Sequence, residues 1–306
     1  MQALWQFLDL LTTIAFNTTN KVGHMSTSAA DTQILDIAKL EEGLATDSAT
    51  YRAAAPFPHI VLENLLNPSV ITPAITEYPS TNSSEWAAYA HVNERKWGST
   101  DSSAWGPTLQ SIAATLNSPE FVSYLEKLTG ITGLFPDDTF NGGGLHQSLR
   151  GGFLNVHADF TVHPYHQDWE RRVNVLVYFN ENWDESWGGQ LELWKTDMTR
   201  CERSVVPEAN RCVIFTTDPD AFHGHPTPMT CPEGTARRSM ALYYFVKNEN
   251  ANIRSTEYRA RPGDGVKSLF IWLDKYLVRA FDWSKRHLGV SDALARKFMP
   301  SNRTKS

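Results

Sequence analysis

The sequence contains few cysteines, and their spacing does not match any zinc site. Among its 306 residues only Cys201, Cys212 and Cys231 carry a thiol, and no two of them form a Cys-x-x-Cys pair. An odd number of such thiols indicates neither a zinc knuckle nor a disulfide framework. Unpaired thiols are typical of a reducing compartment, so the composition leans towards a cytoplasmic location.

The chain also lacks an excess of positive charge and a long apolar run. It has 28 Lys and Arg against 34 Asp and Glu, a net charge of −6, so we expect no nucleic-acid partner. The apolar stretch 1–16 is interrupted by Gln6, Asp9, Thr12 and Thr13, which leaves it too short and too polar for a transmembrane segment. It has no basic region and no small-residue cleavage site, so we expect no secretory signal. We expect a docking helix or a frayed extension, with a membrane-surface helix as the alternative.

Aromatic residues and closely spaced strand-like runs are what the sequence does have. It contains 10 Trp, 10 Tyr and 15 Phe, enough for a deep core and an aromatic-lined pocket. After Gly130, short β-type runs follow one another with only Gly, Pro, Asn and Asp between them: 145–149, 152–157, 172–179, 189–194, 204–206, 212–216 and 237–246. Strands this close, without helices between them, predict an antiparallel sandwich or small barrel rather than βαβ units.

The pattern divides the chain into four regions. They are a flexible or helical N-terminal extension (1–50), a helical flank with a short strand (51–140), a β core (141–250), and C-terminal helices with a basic tail (251–306). In the helical flank, Ser118 followed by Pro119 predicts a helix start, because serine caps and proline fits the first turn.

The C-terminal region carries an apolar stripe. Between residues 267 and 288 large apolar residues recur at intervals of three and four, as on one face of a helix. We expect this stripe to pack on the sheet rather than on a membrane. We expect the basic tail to be solvated: Arg296, Lys297, Arg303 and Lys305.

One short motif predicts a metal site. His157 and Asp159 are two positions apart in a strand-like run, so both side chains point to the same face and can reach one metal ion. His223 follows another apolar strand and is the natural third ligand. Two histidines and one carboxylate leave coordination positions open, which suits non-haem Fe(II) that must bind O2 and a co-substrate together.

The second histidine of that segment leaves an alternative open. His225 shares the face of His223, and we place it beside the metal or the substrate. For either histidine, the simpler interpretation is a loop residue whose ring nitrogens are hydrogen-bonded within the protein. Gly224 between them allows the backbone to approach a ligand closely.

A strand near the end of the β core offers an anion-binding residue. Alternation puts Arg237, Ser239, Ala241 and Tyr243 on one face, where the small residues leave room for a ligand. A buried guanidinium there can hold a carboxylate through two parallel hydrogen bonds. Arg238, on the other face, remains the alternative.

Taken together, these segments resemble the Fe(II)/2-oxoglutarate oxygenase superfamily, and within it the prolyl 4-hydroxylase-like branch. The resemblance runs from about residue 56 to 258. It is carried by the order and spacing of 142–147, 151–160, 171–180, 187–194, 210–217, Phe-His-Gly-His-Pro (222–226) and 237–245.

The resemblance implies a double-stranded β-helix, or jelly roll, with helices packed outside it. It implies that His157, Asp159 and His223 hold Fe(II), and that Arg237 pairs with the far carboxylate of 2-oxoglutarate. Tyr178 would hydrogen-bond the same carboxylate. Gln147 stands where relatives commonly carry a tyrosine that also contacts the co-substrate. The residues that would lie beside the metal or the substrate are His225, Arg238 and Asn174.

The implied activity is hydroxylation of an unactivated C–H bond, coupled to decarboxylation of 2-oxoglutarate to succinate. It needs O2, with ascorbate as a candidate reductant. The implied substrate is a prolyl or other residue in a protein, and a free small molecule is the alternative. Two further interpretations remain: a jelly-roll binding module without catalysis, and a zinc hydrolase. A zinc hydrolase would give Arg237 no role. The sequence does not indicate an oligomeric state.

Overall fold

The computed structural model describes residues 33–273 together with Tyr276 and Trp283. Four helices precede the β core: α1 (Ile37–Ala53), α2 (Pro68–Glu77), α3 (Pro107–Leu116) and α4 (Pro119–Thr129). The predicted start of α4 is confirmed, since the Ser118 hydroxyl accepts a hydrogen bond from the Phe121 backbone N–H at 3.3 Å. Gly130 ends α4 with φ 77°, a left-handed conformation that glycine adopts without strain.

The described residues contain thirteen strands. They are β1 (His59–Glu63), β2 (Ala87–His91), β3 (Glu94–Ser99), β4 (Phe135–Pro136), β5 (Gly144–Leu149), β6 (Phe153–Ala158), β7 (Trp169–Tyr178), β8 (Leu191–Trp194), β9 (Cys201–Val205), β10 (Arg211–Thr216), β11 (His223–His225), β12 (Ala236–Lys247) and β13 (Glu257–Tyr258).

Eight of these strands form the jelly roll that the sequence predicted. One antiparallel sheet, here called the major sheet, has the order β10–β7–β12–β5, and the minor sheet has the order β6–β11–β8–β9. Successive strands alternate between the two sheets, apart from the β8–β9 hairpin, and this alternation makes a double-stranded β-helix. Strand β3 pairs with both β5 and β6, so it joins the two sheets along one side.

The largest apolar cluster lies between the major sheet and the helices. Val173, Val175 and Val177 of β7 point towards α1–α4, while Leu176 and Tyr178 belong to a cluster inside the jelly roll. This division follows from the two-residue period of a strand, which sends neighbouring side chains to opposite faces. The major sheet therefore has a helix-covered outer face and an inner face that is free to carry a site.

A β-bulge changes which side chains of β7 face inwards. The pairing of β7 with β12 shifts by one residue: Val173 lies opposite Tyr244, and Arg171 lies opposite Phe245. The extra residue re-aims the strand, so Arg171 joins the inner face instead of following Val173 outwards. Arg171 is 2% exposed, and this burial becomes important at the metal centre.

The C-terminal stripe does not pack as expected. Residues 267–273 are helical, and only Ile271 is buried, at 1% exposure. Leu269, Trp272 and Leu273 are about half exposed, so the expectation that the stripe packs on the sheet is wrong for the described residues. The extension before residue 33 and the basic tail lie outside the described residues. Among the described residues, no helix is long and apolar enough to cross a membrane.

Candidate metal centre

The three predicted metal ligands meet on the inner face of the minor sheet. His157 lies near the end of β6, Asp159 follows it, and His223 begins β11, directly opposite His157 in the antiparallel pairing. Each residue offers one ligand atom, and all three atoms lie within 4.8 Å of one another. The Nε2 atoms of His157 and His223 are 3.5 and 3.6 Å from the Asp159 carboxylate oxygens.

Both imidazoles are oriented by the backbone. The Nδ1 atom of His157 lies 2.9 Å from the Asn155 carbonyl, and Nδ1 of His223 lies 2.9 Å from the Ala221 carbonyl. A carbonyl only accepts, so Nδ1 carries the proton and Nε2 keeps its lone pair, as in metal-ligating histidines. Two lone pairs and a carboxylate facing one point fit a divalent cation.

A glycine allows the two histidine strands to lie this close. A Cβ atom on Gly224 would stand 2.7 Å from the Leu154 carbonyl oxygen and 2.9 Å from that of Asn155, both in β6. The sequence suggested that Gly224 lets the backbone approach a ligand. In the structure, the close neighbour of Gly224 is the backbone of β6.

Asp159 is held as a carboxylate by two neighbours. Arg171 Nη2 lies 3.0 Å from Asp159 Oδ2, and Asn174 Nδ2 donates to the same oxygen at 2.8 Å. Burial alone would raise the pKa of Asp159, but Arg171 and the two histidines hold it well below its ordinary value. The carboxylate therefore stays charged, which suits a metal ligand. Asn174 thus contacts the carboxylate of Asp159 directly.

Arg171 is the most important residue that sequence reasoning missed. Its guanidinium lies 3.4 Å from the Tyr243 ring centroid and 4.6 Å from that of Phe160, and it also donates to Asn174 Oδ1. These contacts fix the guanidinium beside Asp159. The only signal in the sequence is an Arg-Arg pair at a strand start, and the bulge that selects Arg171 leaves no motif.

His223 is unprotonated at neutral pH. Burial lowers its pKa to about 4, although Asp159 acts in the opposite direction. A neutral imidazole is the form that binds a metal ion.

Arg237 and Arg238 lie on opposite sides of β12. The Arg237 guanidinium is inside the jelly roll, where it donates to the Gly189 carbonyl at 2.6 Å and to the Tyr178 hydroxyl at 3.2 Å. The Arg238 guanidinium lies over the Tyr78 ring, 5.3 Å from its centroid, on the side that the helices cover. Arg237 and Tyr178 are thus brought together, and Arg238 is turned away from them.

Gln147 is also turned away from the site. It pairs with Arg238 across β5 and β12, so it shares the outer face of the major sheet, and its Nε2 donates to the Thr81 carbonyl at 3.2 Å. The expected contact with the co-substrate is therefore wrong. The neighbouring residue, His146, faces the interior instead, because adjacent strand residues alternate.

Further buried polar groups lie inside the jelly roll. Burial lowers the pKa of His146 to about 3, and the pKa of His225 lies well below its ordinary value for the same reason. His225 is 5% exposed, and its Nδ1 has no hydrogen-bond partner among the described residues. Lys96 and Glu94 of β3 form an ion pair at 3.2 Å and both act on the two histidines. No sequence signal connected β3 to these histidines.

Comparison with known proteins agrees with this geometry. The profile of the 2OG-Fe(II) oxygenase superfamily matches residues 143–245, which span β5 to β12 except for the last two residues of β12. This match confirms the resemblance to that superfamily found in the sequence.

The individual proteins that resemble this chain are distant from it. Prolyl 3-hydroxylase OGFOD1 from Mus musculus is 29% identical over 79 residues, which span 24% of this chain and only 14% of that protein. A Trichoplax adhaerens prolyl hydroxylase, solved with a peptide fragment of the hypoxia inducible factor oxygen degradation domain, is 18% identical with a TM-score of 0.48, covering 69% of this chain and 93% of that one. A Pseudomonas putida prolyl-4-hydroxylase is 17% identical with a TM-score of 0.44, covering 66% and 100%.

Proposed function

We propose that this chain is a dioxygenase that uses Fe(II) and 2-oxoglutarate as cofactors. It would hydroxylate an unactivated C–H bond of a prolyl or other residue in a protein, coupled to the decarboxylation of 2-oxoglutarate to succinate. The observation that carries the proposal is the meeting of two imidazole nitrogens and one carboxylate oxygen within 4.8 Å, inside a jelly roll that also buries Arg237. A set of two histidines and one carboxylate leaves positions open for a co-substrate and O2.

His157, Asp159 and His223 would hold the iron. Arg171 and Asn174 keep the Asp159 carboxylate ionised and fixed in direction, which orients it as a metal ligand. Bound Fe(II) supplies the oxidation of the C–H bond with O2 as the oxidant. The protein positions the reactants and keeps the cavity dry.

Arg237 and Tyr178 would hold the far carboxylate of 2-oxoglutarate. Arg237 is 6% exposed, and no carboxylate pairs with it among the described residues. A buried guanidinium without a negative partner is costly, and a bound carboxylate would compensate that charge. The Tyr178 hydroxyl, 3.2 Å from Arg237 Nη2, can donate its proton to the same carboxylate.

A relative of known activity supports the choice of a protein substrate. The OGFOD1 relative is a prolyl 3-hydroxylase, and it matches 24% of this chain. This match favours a prolyl residue over a free small molecule, which stays the alternative that the experiment below decides.

The proposal is tested by turnover with two substrate panels. The whole chain is supplied with Fe(II), 2-oxoglutarate and ascorbate, and then with proline-containing peptides or with small metabolites. We expect succinate release to rise with a peptide that gains one oxygen atom by mass spectrometry, and Asp159→Ala to remove both signals. Stimulation by a metabolite alone would overturn the protein substrate, and full activity of Asp159→Ala would overturn the site.

A further inference from the structure

The C-terminal helix exposes large apolar side chains in one place. Among the described residues, ten large hydrophobic residues are exposed, and six of these lie between 266 and 276. Their exposed fractions are 77% for Val266, 53% for Leu269, 54% for Phe270, 52% for Trp272, 46% for Leu273 and 52% for Tyr276. Single exposed apolar residues are ordinary, but a contiguous group marks an interaction surface.

Four of these residues form one face, here called the apolar face: Leu269, Trp272, Leu273 and Tyr276. Trp272, Leu273 and Tyr276 follow Leu269 by three, four and seven residues, which places all four on one side of a helix. The ring centroids of Trp272 and Tyr276 are 5.1 Å apart. The opposite side of the helix contacts the protein through Ile271, which is 1% exposed.

Lys267 reinforces this attachment. Its Nζ donates to Asn155 Oδ1 at 3.1 Å and lies 5.0 Å from the centroid of the Phe153 ring. Lys267 is four residues before Ile271, so both lie on the side of the helix that faces the body. A surface helix normally turns its apolar stripe to the core. This helix attaches by the other side and turns the apolar face outwards.

The charge of the surrounding sequence has the sign that fits an anionic surface. Residues 267–306 contain nine Lys and Arg against three Asp, whereas the other 266 residues contain 19 basic and 31 acidic residues. The basic charge of this acidic chain is thus concentrated in the segment that carries the apolar face. Two copies meeting through this face would bring two basic segments together, which costs electrostatic energy.

We propose that the apolar face docks this enzyme on a membrane surface that contains anionic lipids. Trp and Tyr have an apolar body and a polar tip, so they favour the boundary between headgroups and acyl chains. An amphipathic helix rich in Lys and Arg lies in that boundary without crossing the bilayer, and each basic residue near the surface adds binding energy. The proposal does not depend on the substrate or on the metal.

The test uses co-sedimentation of the whole chain with vesicles. We expect binding to vesicles of phosphatidylcholine with 30% phosphatidylserine, and at least tenfold weaker binding to phosphatidylcholine alone. Added NaCl lowers the binding, because the attraction to anionic lipid is screened. Trp272→Asp with Leu273→Asp weakens the binding at least tenfold. The matched control is Ile253→Asp, because Ile253 is an apolar residue outside the helix that is 42% exposed. This variant should bind the vesicles as the unchanged chain does.

Two further measurements separate loss of membrane binding from loss of folding. Thermal unfolding and 2-oxoglutarate turnover of the double variant should equal those of the unchanged chain, since neither residue belongs to the site. Brominated acyl chains should quench tryptophan fluorescence of the unchanged chain, which tests the proposal even if the variant does not fold.

Three outcomes would overturn the proposal. The first is no binding of the unchanged chain to the anionic vesicles, and the second is equal binding by the double variant. The third is a dimer in sedimentation equilibrium that the double variant loses, with no vesicle binding, because the apolar face would then join two copies.

Discussion

The two sheets of this jelly roll differ in how they are supported and in what they carry. The major sheet has strands of up to 12 residues and is backed by a cluster of thirty buried apolar residues shared with the helices. The minor sheet has strands of three to six residues, and the cluster containing Val156 of β6 has only four buried members. Yet the minor sheet carries all three metal ligands, and the major sheet carries the residues that surround them.

This division explains how a site can be both precise and open. The long, covered strands β7 and β12 hold Arg171, Asn174 and Arg237 on a rigid surface. The short strands β6 and β11 bring His157 and His223 together by backbone pairing rather than by a deep core. We therefore expect substitutions in the core behind the major sheet to lower the free energy of unfolding. Substitutions in the minor sheet should lower the affinity for the metal ion.

The largest effect is expected from the carboxylate ligand. Asp159→Ala removes the negative charge between the two imidazoles, so Fe(II) binding should weaken more than about 100-fold and turnover should be lost. Calorimetric titration of the apoprotein with Fe(II) under anaerobic conditions measures this. Asp197→Ala, at an exposed carboxylate outside the site, is the matched control and should bind as the unchanged chain does.

The second prediction concerns the helix-covered side of the major sheet. Leu109 of α3 is fully buried in the large cluster, so Leu109→Ala should lower the free energy of unfolding by about 2–5 kcal/mol. Val156→Ala, in the small cluster of the minor sheet, should cost less. Urea unfolding measures both, and an equal or greater loss for Val156→Ala would contradict the difference between the sheets.

The third prediction concerns the contact between the two histidine strands. Gly224→Ala puts a methyl group against the β6 backbone, which must shift, so Fe(II) affinity should fall about tenfold. Gly43→Ala in α1 is the control, because its new methyl group meets only the flexible Asp47 side chain. Unchanged affinity in Gly224→Ala would mean that the pairing of β6 and β11 does not set the ligand geometry.

The fourth prediction separates the two arginines of β12. Arg237→Gln should raise the KM for 2-oxoglutarate about 10–100-fold, because a charge-assisted hydrogen bond contributes about 1.5–3 kcal/mol. Arg238→Gln, on the opposite face, should leave that KM unchanged. Steady-state kinetics with varied 2-oxoglutarate measures both, and the reverse result would assign the anchor to Arg238.

The smallest effect is a pH dependence from His146. The pKa of His146 in the folded protein is about 3, while an unfolded chain has an ordinary histidine value near 6.5. The unfolded state therefore binds the proton first, and stability falls as the pH drops from about 6.5 towards 3. His146→Gln should flatten this slope by no more than about 1.4 kcal/mol per pH unit. Urea unfolding of the apoprotein at several pH values measures the slope, and equal slopes would contradict the assignment.

What the sequence could predict follows from strand periodicity. A spacing of two put His157 and Asp159 on one face, and alternation put Arg237 on the face away from Arg238. The prediction for Gln147 was wrong because neighbouring strand residues face opposite sides of a sheet. A shift of one residue exchanges the faces, so His146 faces the interior and Gln147 does not.

The remaining features depend on contacts between distant parts of the chain. Arg171 faces inwards only because of a bulge set by its pairing with β12. Lys96 acts on His146 and His225 because β3 pairs with β5 and β6, which lie far along the chain from it. The outward direction of the apolar stripe depends on which side of the helix meets the body, and periodicity alone does not specify that side.

The central claim is that two histidines of the minor sheet and Asp159 bind one ferrous ion beside a site for 2-oxoglutarate. Anaerobic titration of the apoprotein with Fe(II) and 2-oxoglutarate tests it most directly. We predict a visible metal-to-ligand charge-transfer band that saturates at one Fe(II) per chain and is absent in His223→Ala. A band of unchanged strength in His223→Ala, or no band in the unchanged chain, would contradict the account.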